Sequence, residues 1–223
     1  MRFLITLSYV NLAVLVLASI AGVVRIKRLT TPVVIVSILV FVTLTTEALA
    51  TWIAFRRNDN AFVAHFYVIV SFWLYSLCYF FLLKKNLRRA LILLVPVLFT
   101  IFAVINSISY QKLDAFPSIN TILSNVLLIC YCLYSFKYQI DLNPFESLRR
   151  NSHFLLNTAV LVYSTLDIFV LGILDYLFSN GRNPLPLMIF NGFASIGYYI
   201  VLGIVILQDR KPPARGVKSG HYE

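Results

Sequence analysis

The chain has 223 residues, 60% of them hydrophobic and only 13% charged, with a mean hydropathy of +0.83 and a formal net charge of +10. Soluble domains carry about 45–50% apolar and about 25% charged residues. The composition therefore excludes a water-soluble globule, a disordered chain, a disulfide scaffold and, despite the positive charge, a nucleic-acid-binding domain.

A helix needs about 20 mainly apolar residues to cross a bilayer. Seven stretches qualify: 3–24, 32–54, 61–83, 89–110, 117–136, 153–178 and 185–207. The expectation is an all-α, polytopic bundle of seven transmembrane helices over residues 1–207. The gaps are short and charged, so no appended soluble domain is expected. Residues 208–223 form a basic tail too short to fold alone. A signal peptide over residues 1–22 is the competing reading, with Ala18-Ser19-Ile20-Ala21 near a cleavage point. The long apolar run and the stop at Arg25–Arg28 favour an uncleaved first helix.

The breaks agree with the spans. Pro32, Pro117 and Pro184 fall near first helical turns, where a missing N–H costs nothing. Pro96 lies inside the fourth span and is expected to kink it. Asn143, Pro144 and Glu146 read as an N-cap, N1 and N3 set, with a short amphipathic turn over Phe145–Asn151 leading into the sixth span.

Orientation follows from Lys and Arg. Loops one, three and five and the tail hold Arg25, Lys27, Arg28, Lys84, Lys85, Arg88, Arg89, Lys137, Arg149, Arg150, Arg210, Lys211, Arg215 and Lys218. The other side holds Arg2, Arg56, Arg57, Lys112 and Arg182. Fourteen of the nineteen basic residues thus share one side, which by the positive-inside rule is the cytosol. The N-terminus is expected outside and the C-terminus inside, in the plasma (inner) membrane. The net charge then reads as topology and contact with anionic lipid, with no nucleic-acid partner.

Polar residues within a span are costly and tend to face the bundle interior. At 100° per residue, three stripes emerge: Thr43, Glu47 and Thr51 on helix two; Asn157, Ser164, Asp167 and Asp175 on helix six; Asn191, Ser195 and Tyr198 on helix seven. Many polar residues lie in the outer half, among them Tyr9, Asn11, His65, Asn106, Tyr110, Asn120 and Ser124, whereas Ser135 and Asn157 interrupt a more apolar inner half. The expectation is a polar cavity open to the outside and floored near Asp167. Its candidate ligand- or ion-binding residues are Glu47, Asp167, Thr51, His65, Asn106, Asp175, Asn191 and Ser195. No Lys or Arg lies deep enough to neutralise Glu47 or Asp167, so these acids are expected to carry a proton or to hold a cation. The bland alternative is that residues near helix ends meet headgroups and water, and that the deep acids serve interhelical hydrogen bonds.

Several activities are excluded. A retinal Schiff base needs a Lys inside the bundle, and all seven lysines lie in loops, at span ends or in the tail. His65, His153 and His221 fall at the outer face, the inner face and the tail and cannot share a metal. No Ser-His-Asp set and no Gly-rich phosphate loop is evident, so neither enzyme nor cofactor is read. Cys78, Cys130 and Cys132 lie within spans and read as small apolar residues. Tyr75, Tyr79, Phe80, Phe81, Tyr131 and Tyr134 read as packing and interface aromatics.

An offset of 120 pairs Thr45-x-Glu47 with Thr165-x-Asp167, Asn60 with Asn180 and Tyr79 with Tyr199. Helices one to three would then match five to seven, a three-plus-one-plus-three organisation known from transporters. Thr45-x-Glu47, Asn58-Asp59-Asn60 and Phe62-x-x-His65-x-Tyr67 with Phe72 and Tyr75, together with Phe190-Asn191-Gly192 and Tyr198-Tyr199, resemble a family of uncharacterised seven-helix membrane proteins common in Bacteroidota. His65 and Ser71 depart from that pattern, where Asn and an acid are more usual. The resemblance implies a seven-helix bundle and no activity.

Three functions compete: a receptor- or sensor-like protein with an outward ligand cavity and a separate cytosolic protein partner; a small-solute or proton-coupled transporter or channel; and a non-catalytic oligomeric effector or scaffold. The last is suggested by Ala13, Ala18, Ala21 and Gly22, small residues that permit close helix packing.

Overall fold

A computed structural model of the chain describes residues 2–57, 60–83, 89–111, 113, 115–142 and 151–211. The described residues contain no strand. Seven helices, each long and apolar enough to cross a membrane, make up the fold: α1 (Arg2–Arg25), α2 (Thr31–Arg57), α3 (Ala61–Leu82), α4 (Arg89–Ser109), α5 (Ser118–Leu142), α6 (Ser152–Ser179) and α7 (Leu185–Gln208). A single 3₁₀ turn, Ile26–Arg28, joins α1 to α2.

The spans read from hydropathy match these helices within a few residues, except in α5. There the helix continues six residues beyond 136, through Lys137 to Leu142. Hydropathy ends where charge begins, but nothing in Lys137-Tyr138-Gln139-Ile140-Asp141-Leu142 breaks a helix. The expected cap at Asn143, Pro144 and Glu146 lies outside the described residues. Asn151 caps α6, its side chain accepting from the backbone N–H groups of His153 and Phe154 at 3.0 and 3.3 Å. Helix α4 runs on through Pro96, whose carbonyl accepts from the Thr100 hydroxyl at 2.7 Å. That hydroxyl in turn accepts from the Trp73 indole of α3 at 3.0 Å.

Helix α1 packs against α2 and α7, α2 against α3, α3 against α5, α5 against α6, and α6 against α7. Contact between α2 and α7 leaves α1 in the groove outside them, and α4 sits outside against α3. Five helices (α2, α3, α5, α6 and α7) therefore surround the interior. Exchanging α1–α3 with α5–α7 preserves the order of neighbours around the bundle. Four crossings separate α1 from α5, so the two run in the same direction.

The small residues of α1 are used within this bundle. A Cβ added at Gly22 would stand 2.9 Å from Cβ of Ser37 on α2, and one added at Gly203 would stand 3.7 Å from Cβ of Ala18. At Gly192 of α7 an added Cβ would fall 2.2 Å from a Leu7 methyl. Close approach of α1 to both neighbours depends on these positions: Ala18 and Gly22 are buried within the bundle, whereas Ala13 is exposed.

At one end of the bundle a single carboxylate joins four segments. Asp209, 3% exposed, accepts from the backbone N–H and hydroxyl of Thr30 at 2.7 and 2.9 Å and from the Ser152 hydroxyl at 2.7 Å. The Arg25 guanidinium donates to its carbonyl at 3.1 Å, and Lys211 N–H donates to Arg28 O at 2.8 Å. The end of α1, the starts of α2 and α6 and the end of α7 thus meet. Because α1 and α7 finish side by side, the first and last helical residues, Arg2 and Gln208, lie at opposite ends of the bundle.

Replacing Asp209 by Ala leaves the Thr30 and Ser152 donors without their acceptor. Each buried unmade hydrogen bond costs about 1–3 kcal/mol. Asp209→Ala is expected to lower the midpoint of thermal unfolding in detergent, whereas substituting the exposed Lys137 to Ala leaves it unchanged.

Candidate functional site

The end opposite Asp209 holds an open cavity of about 510 Å³, lined by α2, α3, α5, α6, α7 and the approach to α5. Its lining begins at Asn60, Ala61 and Phe116 and reaches Tyr75 and Tyr198. Fourteen residues separate Ala61 from Tyr75, a depth of about 21 Å at 1.5 Å per residue. The cavity therefore penetrates about half the bundle.

Glu47 and Asp167 both line it, from α2 and α6. The offset of 120 in the sequence pairs these two acids. Thr45 and Thr165, two residues before each acid, make equivalent hydrogen bonds to the carbonyls of Phe41 and Leu161. Glu47 is exposed and Asp167 half-buried. Asp167 accepts from the Asn125 amide at 2.7 Å. Glu47 has no hydrogen-bond partner among the described residues.

The floor is aromatic. Tyr163 and Tyr198 stack with centroids 4.3 Å apart and planes 13° apart, and Tyr199 lies against Tyr198 at 5.3 Å. The hydroxyls of Tyr75 and Tyr198 bond each other, joining α3 to α7. Tyr67 bonds Thr43 at 2.9 Å, joining α3 to α2. The expected floor near Asp167 is corrected by this layer: Tyr163 lies one turn deeper on the same face of α6, and Asp167 belongs to the wall.

Below the floor the described residues pack against one another. Tyr79 donates to Asn157 Oδ1 at 2.9 Å, and the Asn157 amide donates to Cys132 O at 2.9 Å. The Tyr79 hydroxyl has then given its only hydrogen, so the Cys132 thiol, 3.0 Å away, is the donor to it. This knot ties α3, α5 and α6. Around and beneath it lie Val33, Val36, Leu83, Leu156, Val160, Leu202 and Val205, each at most 2% exposed. Asn157 shares its helix face with Asp167 but belongs to the plug.

Of the eight candidate residues, the structure brings Glu47, Asp167, Asn191 and Ser195 to the cavity. The other four lie elsewhere. Thr51 is half-buried, one turn beyond Glu47, and does not line the cavity. His65, 4% exposed, is clamped between Ser107 Oγ at 2.8 Å and Ala115 O at 2.9 Å. A carbonyl only accepts, so Nε2 carries the hydrogen toward Ala115. Asn106 donates to Gln111 and Asn120 at 3.1 and 2.9 Å, closing the end of α4 against the start of α5. Asp175 is exposed near the end of α6.

Sequence reasoning missed Tyr67, Tyr163, Tyr199 and Asn125, and read Tyr75 as packing. A signal for Asn125 exists: Thr121, Asn125 and Leu128 recur at i, i+4 and i+7, and all three line the cavity. The tyrosines carry no such mark in a chain with thirteen of them.

Among the described residues no group of three metal-binding side chains exists. No protein family, curated protein or solved structure was found to match the chain.

Asn157→Ala removes the acceptor of the Tyr79 hydroxyl and the second donor to the Cys132 carbonyl in a buried cluster. It is expected to destabilise the protein by about 1–3 kcal/mol, read as a drop in the thermal midpoint. Asp175→Asn, exposed near the end of α6, is expected to leave the midpoint within error.

Proposed function

We propose that this multi-pass membrane protein is receptor-like: it binds a small ligand in the cavity from outside the cell and presents its basic face to the cytosol. One observation carries the reading. Among the described residues the cavity has an open end and a floor of packed side chains, so its geometry suits binding without passage. The orientation rests on the charge asymmetry. Arg25, Lys27, Arg28, Lys137 and Lys211 lie at the end opposite the cavity, and the positive-inside rule makes that end cytosolic. The N-terminus is then outside, the C-terminus inside, and the membrane is the plasma (inner) membrane. Anionic lipid and a separate cytosolic protein are the partners this arrangement calls for. Membership of the Bacteroidota family is part of the proposal and rests on the residues of helices two, three and seven.

A specific observation favours transport as the second reading. Neighbours follow the same order around the bundle when α1–α3 are exchanged with α5–α7, and an offset of 120 in the sequence pairs Glu47 with Asp167. Transporters built from parallel repeats bind substrate between the halves near the midplane, and Asp167 lies near the middle of α6.

Sidedness separates the two. In sealed vesicles of known orientation, Ser195→Cys is expected to react with a membrane-impermeant thiol reagent added on the outer side. The same reagent on the inner side is expected to leave it unmodified. Reaction from both sides would replace the receptor reading with alternating access.

A further inference from the structure

Resting on the reading of the cavity as a ligand site, we propose that its ligand is an organic cation, a protonated amine or quaternary ammonium. It would sit between the carboxylates of Glu47 and Asp167, above the tyrosine floor. The first argument is charge. Two acids line the cavity, and no Lys, Arg or His among the described residues lines it with them. A charge withdrawn from water is costly unless paired, and an anionic ligand would add to the deficit.

Unused hydrogen-bonding capacity is the second argument. Ser164 is 2% exposed, lines the cavity between Tyr163 and Asp167, and has no hydrogen-bond partner among the described residues. The Glu47 carboxyl on the facing side is likewise unengaged. Helical serines ordinarily bond a carbonyl of the preceding turn, as Thr165 next door does at 2.8 Å. Ser164 makes no such bond among the described residues and lines the cavity.

Size and surface select among cations. A bare metal ion needs several oxygens converging at about 2.0–2.6 Å. Two carboxylates in the wall of an open cavity of about 510 Å³ do not supply them. That volume lies within the roughly 300–1,000 Å³ of small-molecule pockets. Aromatic faces attract an ammonium within about 6 Å of the ring centroid, and Tyr163 and Tyr198 present a stacked pair at the cavity's deep end. Carboxylates at the wall and aromatic rings at the base suit a molecule with a cationic head and an organic body.

The test uses the purified full-length chain in lipid nanodiscs, with thermal stabilisation as readout. The probes are a graded set of ammonium compounds: methylammonium, tetramethylammonium, choline, 2-phenylethylammonium and 1,4-diaminobutane. Beside them run the neutral 2-phenylethanol, the anionic phenylacetate, and MgCl2 and CaCl2. At least one ammonium compound is expected to stabilise the protein in a saturable way, with its alcohol and carboxylate counterparts inert. Asp167→Asn and Glu47→Gln are each expected to weaken that response tenfold or more. Stabilisation by the alcohol or the carboxylate would overturn the cation while preserving the cavity as a site. Stabilisation by the divalent salts alone would replace it with an inorganic ion. No response to any probe would overturn the proposal.

A second measurement holds even if those variants fail to fold. In Asn191→Cys, a cationic methanethiosulfonate is expected to react at least tenfold faster than an anionic one, each rate taken relative to a free thiol. Equal relative rates would overturn the proposal. An unreactive thiol would count against the cavity itself.

Discussion

Inside a bilayer no water is at hand for a stray peptide group, so each backbone N–H and C=O must be satisfied within its own segment. That constraint makes every crossing a helix and confines irregular backbone to the two ends. It also governs the side chains. Polar groups cannot be left facing hydrocarbon, so the stripes on α2, α6 and α7 dictate which faces turn inward. Much of the remaining arrangement follows: five helices with polar faces enclose the interior, while α1 and α4 stay at the periphery. The peripheral pair differ in how they are held. Gly22 and Gly203 let α1 lie close to its neighbours, and α4 is tied to α3 through Trp73 and Thr100.

Two polar clusters toward the Asp209 end are bonded within themselves: the Asp209 carboxylate receives three donors, and the Asn157 amide links the Tyr79 hydroxyl to the Cys132 carbonyl. At the cavity end Asp167 has one partner, while Glu47 and Ser164 have none among the described residues. Matched groups hold a structure together; unmatched ones are available to something else. This contrast separates Asn157 from Asp167, although both lie on one face of α6.

His65 and Asn106 show the same distinction from the other side. Both are polar and both lie toward the cavity end, where a ligand role looked reasonable. Their side chains are consumed by Ser107, Ala115, Gln111 and Asn120. They fasten α3, α4 and the approach to α5 and so keep one side of the cavity in place.

The apolar runs by themselves determined the class and the number of crossings, because the length of a spanning helix is set by bilayer thickness. Helical phase also marked Glu47, Asp167, Asn191 and Ser195, since a polar stripe in lipid has few directions to face. Phase cannot say which of two polar residues at similar depth is already bonded, because partners come from other helices. Only the packing of α3, α5, α6 and α7 decided that Asn157 closes the interior while Asp167 faces open space. The aromatic floor was likewise hidden, because a tyrosine in a span reads alike whether it meets lipid, core or cavity. The latch at Asp209 escaped for the same reason. It lies just past the last helix, and the residues it joins are about 57 and 179 positions away in the chain.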